Sequence, residues 1–183
     1  IKTNYTDYIT EKLAVIGFSA GAHLAACLGA IPDEKEVAES LGEVEFFKDK
    51  RLEKYLRPDA LALCYPVITG DKNFWHEGSF QTLTNGDNGL IGRLSIEKRV
   101  DGNFPPTFIW HTANDKSVPV MNSILLVEKL AAFGVPFSYH VYGKGAHGLS
   151  LASPHLRKDA GEMSEYVGGW IELATAFFAE NGI

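Results

Sequence analysis

Apolar residues gather in four short runs along this chain. Leu13 to Phe18 (LAVIGF), Ala60 to Tyr65 (ALALCY), Thr107 to His111 (TFIWH) and Pro136 to Tyr142 (PFSYHVY) are each bounded by Pro, Gly, Asp or Asn, residues that punctuate strands. LAVIGF is nearly all apolar, the pattern of a strand covered on both faces in a parallel sheet flanked by helices. Helical pattern fills the gaps. Ala20 to Ala30 is Ala-rich and stops at Gly29 and Pro32. Val118 to Phe133 places Ile124, Leu125, Val127, Leu130 and Ala131 on one stripe before Gly134, and Val167 to Ala179 carries Trp170, Ile171, Ala174, Phe177 and Phe178. Strand alternating with helix predicts an α/β fold built on a mostly parallel sheet. Four strands are few for a doubly wound sheet, so the first strands are expected upstream of Ile1.

Two segments break the alternation. Asp33 to Arg57 is charge-rich and reads as one or two surface helices with Val37, Leu41, Phe46, Phe47, Leu52, Tyr55 and Leu56 as buried positions. Residues 68–106 are rich in Gly, Asn and Asp and read as a long irregular, cap-like stretch, which inside a compact domain is usually functional.

With 183 residues and 45% hydrophobic content the chain has the size of one domain, 1–183. Its net charge of −6 disfavours nucleic acid and anionic membrane as partners, since both need a basic face. A small neutral substrate suits it better. Cys27 and Cys64 lie in apolar stretches without metal-ligand spacing and are expected to be buried thiols, which is compatible with a reducing, cytoplasmic setting.

Gly17-Phe18-Ser19-Ala20-Gly21 has the form G-x-S-x-G, with an apolar strand before it and a small-residue helix after it. That context suits a sharp strand-to-helix turn that exposes a serine, whose neighbours two positions away must lack bulk. Gly17 and Gly21 meet that need, and the N–H of Ala20 faces the place where an oxyanion forms. A serine alcohol needs a base, and the base needs an orienting group. Asp115 follows the TFIWH strand, and His147 follows the PFSYHVY strand in Gly143-Lys144-Gly145-Ala146-His147-Gly148. Chemistry in open α/β sheets collects on loops at the carboxyl ends of strands. His111 and His140 lie at the end of a strand and within one, and read as structural. His23 sits one turn beyond Ser19, and Asp87 and Asp101 belong to the irregular segment. Asp71 is the rival acid.

GFSAGAHLA, RPDALALCYPVI, PPTFIWHTANDKSVPV and the GAHG turn resemble successive blocks of bacterial α/β-hydrolases, the acetyl-esterase and acetylxylan-esterase-like enzymes akin to the hormone-sensitive-lipase-like group. The resemblance runs from Leu13 through the last helix. It implies hydrolysis of short acyl esters, often acetyl groups on sugars, without metal or cofactor, with Ser19 as nucleophile, Asp115 as acid and His147 as base. Phe18, Pro66, Val67 and Trp75, with Phe74, are candidate walls of the substrate site. Family members carry an upstream His-Gly-Gly loop that completes the oxyanion hole, and these 183 residues hold none. The chain is therefore expected to be the C-terminal portion of a longer protein and a poor enzyme alone. The competing readings are a prolyl-oligopeptidase-like peptidase and a non-catalytic interaction module.

Overall fold

The computed structural model describes residues 12–30, 57–153 and 163–183. Of the surface helices expected over Asp33 to Arg57, residues 33–56 lie outside the described residues. Each apolar run forms a strand: β1 (Ala14–Phe18), β2 (Ala60–Cys64), β3 (Thr107–Thr112) and β4 (Phe137–Tyr142). All neighbours are parallel, in the order β1-β2-β3-β4, with Ala14 opposite Ala60, Leu61 opposite Thr107 and Thr107 opposite Phe137. The helices are α1 (Ala20–Gly29), α2 (Glu77–Thr84), α3 (Asn88–Arg93), α4 (Met121–Ala132), α5 (Met163–Gly168) and α6 (Trp170–Glu180), with a short 3₁₀ turn at Ile96–Lys98.

The period-2 alternation of a strand splits the core into two layers. Leu61, Leu63 and Ile109 pack with Ala22, Ala25 and Ala26 of α1 and Leu126 and Leu130 of α4. Ala62, Cys64, Phe108 and Trp110 face the other way, onto Val167 of α5 and Trp170, Ala174 and Phe177 of α6. Small residues on α1 let its axis approach the sheet. Gly29 shows how closely: a Cβ there would stand 3.0 Å from Leu61, Phe104 and Pro105 side chains.

The structure corrects several expectations. β2 and β3 are buried throughout, but β1 is not covered on both faces, since Ile16 is 52% exposed. It has a strand neighbour on one side only among the described residues. The 68–106 segment is not irregular throughout. Asp87 accepts from the Gly89 and Leu90 N–H groups and starts α3, His76 accepts from Ser79 N–H and starts α2, and Asn85 in the left-handed region ends α2. The buried face of α4 is Asn122, Ser123, Leu126 and Leu130, while Ile124 and Ala131 are exposed. The last helical stretch is two helices meeting at Gly169, and Ile171 on the expected stripe is exposed. Cys64 is buried but Cys27 is only half-buried. Burial pushes both thiols up, countered weakly by Arg99 at Cys27 and by Trp110 at Cys64.

Candidate active site

Ser19 joins β1 to α1 with φ 54° and ψ −119°, a conformation that L residues avoid and that lifts the side chain out of the strand. Its backbone is held on both sides. The Ser19 N–H donates to the Cys64 carbonyl at 3.0 Å, and its carbonyl accepts from Val67 N–H at 3.2 Å. His23, buried in α1, donates from Nδ1 to the Val67 carbonyl at 3.2 Å, so the chain after β2 is docked on the turn. Burial depresses the His23 pKa and keeps the ring neutral.

The two glycines of G-x-S-x-G are not equivalent. A Cβ on Gly17 would stand 2.5 Å from Ala22 Cα and from the Gly21 carbonyl oxygen, both backbone atoms that cannot swing aside. Gly21 meets nothing within 4 Å among the described residues, so bulk is barred at the first position only. Ala20 opens α1, where helix geometry leaves the first N–H groups without intrahelical acceptors.

His147 reaches Ser19 from the far side of the sheet. By ladder spacing β1 and β4 stand about 14 Å apart, yet Ser19 Oγ lies 2.8 Å from His147 Nε2. The loop after β4 therefore folds back across the ends of β3 and β2. Its course is fixed at named points. Thr112 Oγ1 donates to the Gly145 carbonyl at 3.0 Å, and Gly145 N–H donates to Asn114 Oδ1 at 2.8 Å. Gly145 packs so tightly that a Cβ would stand 2.5 Å from Thr112 Cγ2. Tyr65, itself at φ 39°, puts its ring edge against the His147 imidazole, with centroids 4.9 Å apart. Its hydroxyl accepts from Ser150 N–H at 3.0 Å, and Trp170 Nε1 donates to the Ser150 carbonyl at 3.2 Å.

Asp115 lies at the turn after β3. Its Oδ1 accepts from Ser117 and Val118 N–H at 2.8 and 3.0 Å, and its Oδ2 accepts from His147 Nδ1 at 2.6 Å. Burial works against its charge, but the donors, His111 and His147 foremost, outweigh it and hold the carboxyl well below the usual carboxylate range. An ionised carboxylate on Nδ1–H leaves Nε2 as the acceptor for the serine proton. That arrangement can generate an alkoxide-like nucleophile without a metal. Among the described residues no three His, Cys, Asp or Glu side chains converge as metal ligands.

Other candidates lie elsewhere. Asp71 is exposed and closes its own turn, accepting from Asn73. His140 meets Ser138 and stacks on Phe108. Asp101 caps Asn103 N–H. Phe18 packs inward between Tyr65 and Trp170, Pro66 is buried, and Val67 joins Phe80, Ile91 and Val118 in a separate small core. Trp75 stacks on Phe80. A cavity of about 560 Å³ instead borders His147, lined by Asn114, Lys116, Ser117 and Lys144. A second, apolar cavity of about 600 Å³ opens between α1 and α2 beside Ala20, with Leu24, Cys27, Leu83 and Leu94 in its walls. Neither was apparent in the sequence, because the lining comes from elements far apart along the chain.

A parallel sheet between helix layers, with a strained serine turn after one strand and acid and histidine loops after two others, defines an α/β-hydrolase fold. The BD-FAE family model matches residues 2–130, and the chain belongs to that family. It is 41% identical to an acetyl ester-xyloside bifunctional hydrolase from Caldicellulosiruptor lactoaceticus, with TM-score 0.73, covering 92% of this chain and 56% of that protein. A carboxylesterase from Lactobacillus plantarum WCFS1 also superposes with TM-score 0.73, at 27% identity, over 100% of this chain and 64% of its own. Endo-1,4-beta-xylanase B of Butyrivibrio fibrisolvens is 33% identical over 175 residues, 93% of this chain and 24% of that protein. Among the described residues no helix is long and apolar enough to cross a membrane.

Proposed function

We propose that this chain carries the catalytic site of a serine hydrolase for short-chain carboxylic esters, acetyl esters on carbohydrate foremost. The observation that carries the reading is the unbroken chain from Asp115 Oδ2 to His147 at 2.6 Å and from His147 Nε2 to Ser19 Oγ at 2.8 Å, ending on a serine at φ 54°. The acetyl-ester preference rests on likeness to the acetyl ester-xyloside hydrolase.

In the first half-reaction Ser19 Oγ attacks the ester carbonyl as His147 Nε2 takes its proton. The imidazolium that forms is stabilised by the Asp115 carboxylate, which keeps its negative charge. The carbonyl oxygen becomes an oxyanion facing the Ala20 N–H at the start of α1, where backbone donors favour negative charge. Collapse breaks the C–O bond to the alcohol, and His147 returns the proton to that oxygen. Water then attacks the acyl-serine, losing a proton to His147, and collapse breaks the acyl C–O bond as His147 returns that proton to Ser19 Oγ, releasing the acid and free Ser19. The cavity beside His147 lies next to the group that protonates the leaving alcohol and suits the alcohol half.

Covalent labelling by a fluorophosphonate and hydrolysis of a 4-nitrophenyl acetate test this reading. Ser19→Ala is expected to abolish both at unchanged thermal stability, since alanine removes only the hydroxyl. Undiminished labelling of that variant would remove Ser19 from the role. An aminoacyl chromogenic substrate cleaved in preference to the acetyl ester would favour a peptidase.

A further inference from the structure

His111 is a fully buried histidine that the proposed chemistry leaves unused, and its partners determine which ring nitrogen carries the hydrogen. It sits on β3 two residues after Ile109, so its side chain points toward α4, as Ile109 does. There Nδ1 lies 2.8 Å from Ser123 Oγ. Nε2 lies 3.0 Å from the Val118 carbonyl and 3.4 Å from Asp115 Oδ2. Both neighbours of Nε2 are acceptors, so Nε2 carries the proton and shares it between them, with the carbonyl as the nearer branch. In the neutral ring Nδ1 is then an acceptor and takes the Ser123 hydroxyl proton.

The oxygen on the longer branch is the one that accepts His147 Nδ1–H, whereas Oδ1 is occupied by two backbone amides. Asp115 Oδ2 therefore stands between two imidazoles, one on each side. We propose that His111 is a positioning residue of the hydrolytic site, holding Asp115 Oδ2 for His147 through the 3.4 Å contact of its Nε2–H, in a line of polar contacts that runs Ser123, His111, Asp115, His147, Ser19. The role rests on the triad reading above. It has two parts: the Nε2–H fixes the rotation of the carboxylate, and it draws off part of the negative charge that His147 would otherwise feel.

The sign of the second part is testable. Without the His111 donor, the carboxylate attracts the His147 imidazolium more strongly, so His147 holds its proton to higher pH. In His111→Leu the His147 titration midpoint, followed by NMR on the whole chain, is expected to rise by about half to one pH unit. The acid limb of kcat/KM should move the same way. Turnover should fall about tenfold through loosened geometry, with KM changed less than about twofold. His111→Gln extends an amide N–H to the place of Nε2, so it should restore the midpoint and most of the turnover. Ser123→Ala leaves the ring but frees Nδ1, and should raise the midpoint by a smaller amount.

A midpoint unchanged in folded His111→Leu would overturn the proposal, as would failure of folded His111→Gln to restore it. If the leucine variant does not fold, Ser123→Ala decides: a raised midpoint supports the role and an unmoved one overturns it. The NMR titration needs no turnover. A wild-type chain that hydrolyses no ester would therefore count against the proposed function while leaving this measurement intact.

Discussion

Gly17→Ala and Gly21→Ala add the same methyl group to the same pentapeptide, and the structure assigns them opposite outcomes. The Gly17 methyl would sit 2.5 Å from Ala22 Cα and the Gly21 carbonyl oxygen and 2.8 Å from Ala22 N, all backbone of the first turn of α1. Relief requires the helix start to move outward by roughly an ångström against its packing on Leu61 and Leu63. Overpacking of this kind costs about 1–3 kcal/mol, which for a chain of this size lowers Tm by about 2–12 °C. The shift also displaces the Ala20 N–H and the Ser19 backbone, and a misplacement of that size costs about 10²-fold in rate. Gly21 lies inside α1 with open space at its Cβ position, so alanine there reduces unfolded-state freedom and is expected to stabilise by about 0.4–1 kcal/mol. Differential scanning calorimetry and the rate of fluorophosphonate labelling read both effects on the same samples. A Gly17→Ala protein with wild-type Tm and labelling rate, or a Gly21→Ala protein as damaged as Gly17→Ala, would refute the assignment of steric closure to the first glycine alone.

Asp115→Asn is expected to lower kcat about 10³–10⁴-fold. Because the Asp115 pKa is depressed on folding, its stabilisation is present above the unfolded value near 3.8 and lost as pH falls through the folded one, so the variant should show a shallower loss of Tm below about pH 4. Glu97 behaves in the opposite sense: burial raises its pKa above 4.5, its favourable contribution lies at low pH, and the benefit fades as pH rises through the folded value. Glu97→Gln should therefore gain Tm relative to wild type as pH rises above 4.5, and a difference independent of pH would contradict this. Asn122 is fully buried, accepting from Ile68 and Thr69 N–H and donating to the Phe74 and Pro119 carbonyls. Asn122→Ala should cost about 2–4 kcal/mol by chemical denaturation and slow labelling, since the loop it holds docks on Ser19 through Val67.

The strands were legible because each is an apolar run closed by residues that stop a sheet, and the neighbouring loops then located Ser19, Asp115 and His147 at one edge. Hydrophobic pattern could not reveal the rest. The buried face of α4 includes Asn122 and Ser123, whose burial is compensated by hydrogen bonds that only tertiary structure creates. Helices α2 and α3 are short and poor in strong helix formers, and their starts depend on capping by His76 and Asp87. Asp87 has the residue type of a cap, the one signal in the sequence that marks the start of α3. The expected substrate walls Phe18, Val67 and Trp75 were drawn inward because their aromatic or branched side chains find partners beneath the loops. His111 looked structural because nothing in the local pattern shows that the turn carrying Asp115 and Val118 and the helix carrying Ser123 fold back around its ring.

The return of the His147 loop across two strand ends has a consequence for biosynthesis. Ser19 and His147 are 128 residues apart in sequence. At ribosomal rates of about 5–20 residues per second, roughly 6–25 s separate the synthesis of Ser19 from that of His147. Once Cys64 and Val67, which hold its backbone, have been made, the serine turn still lacks the partner to take its proton for the rest of that interval. Tyr65 and Trp110, which form the bed for the late loop, are made in between. On the proposed reading a nascent chain is thus chemically silent until β4 has docked, and Ser19 meets the acceptor for its proton only once the loop after that strand is in place.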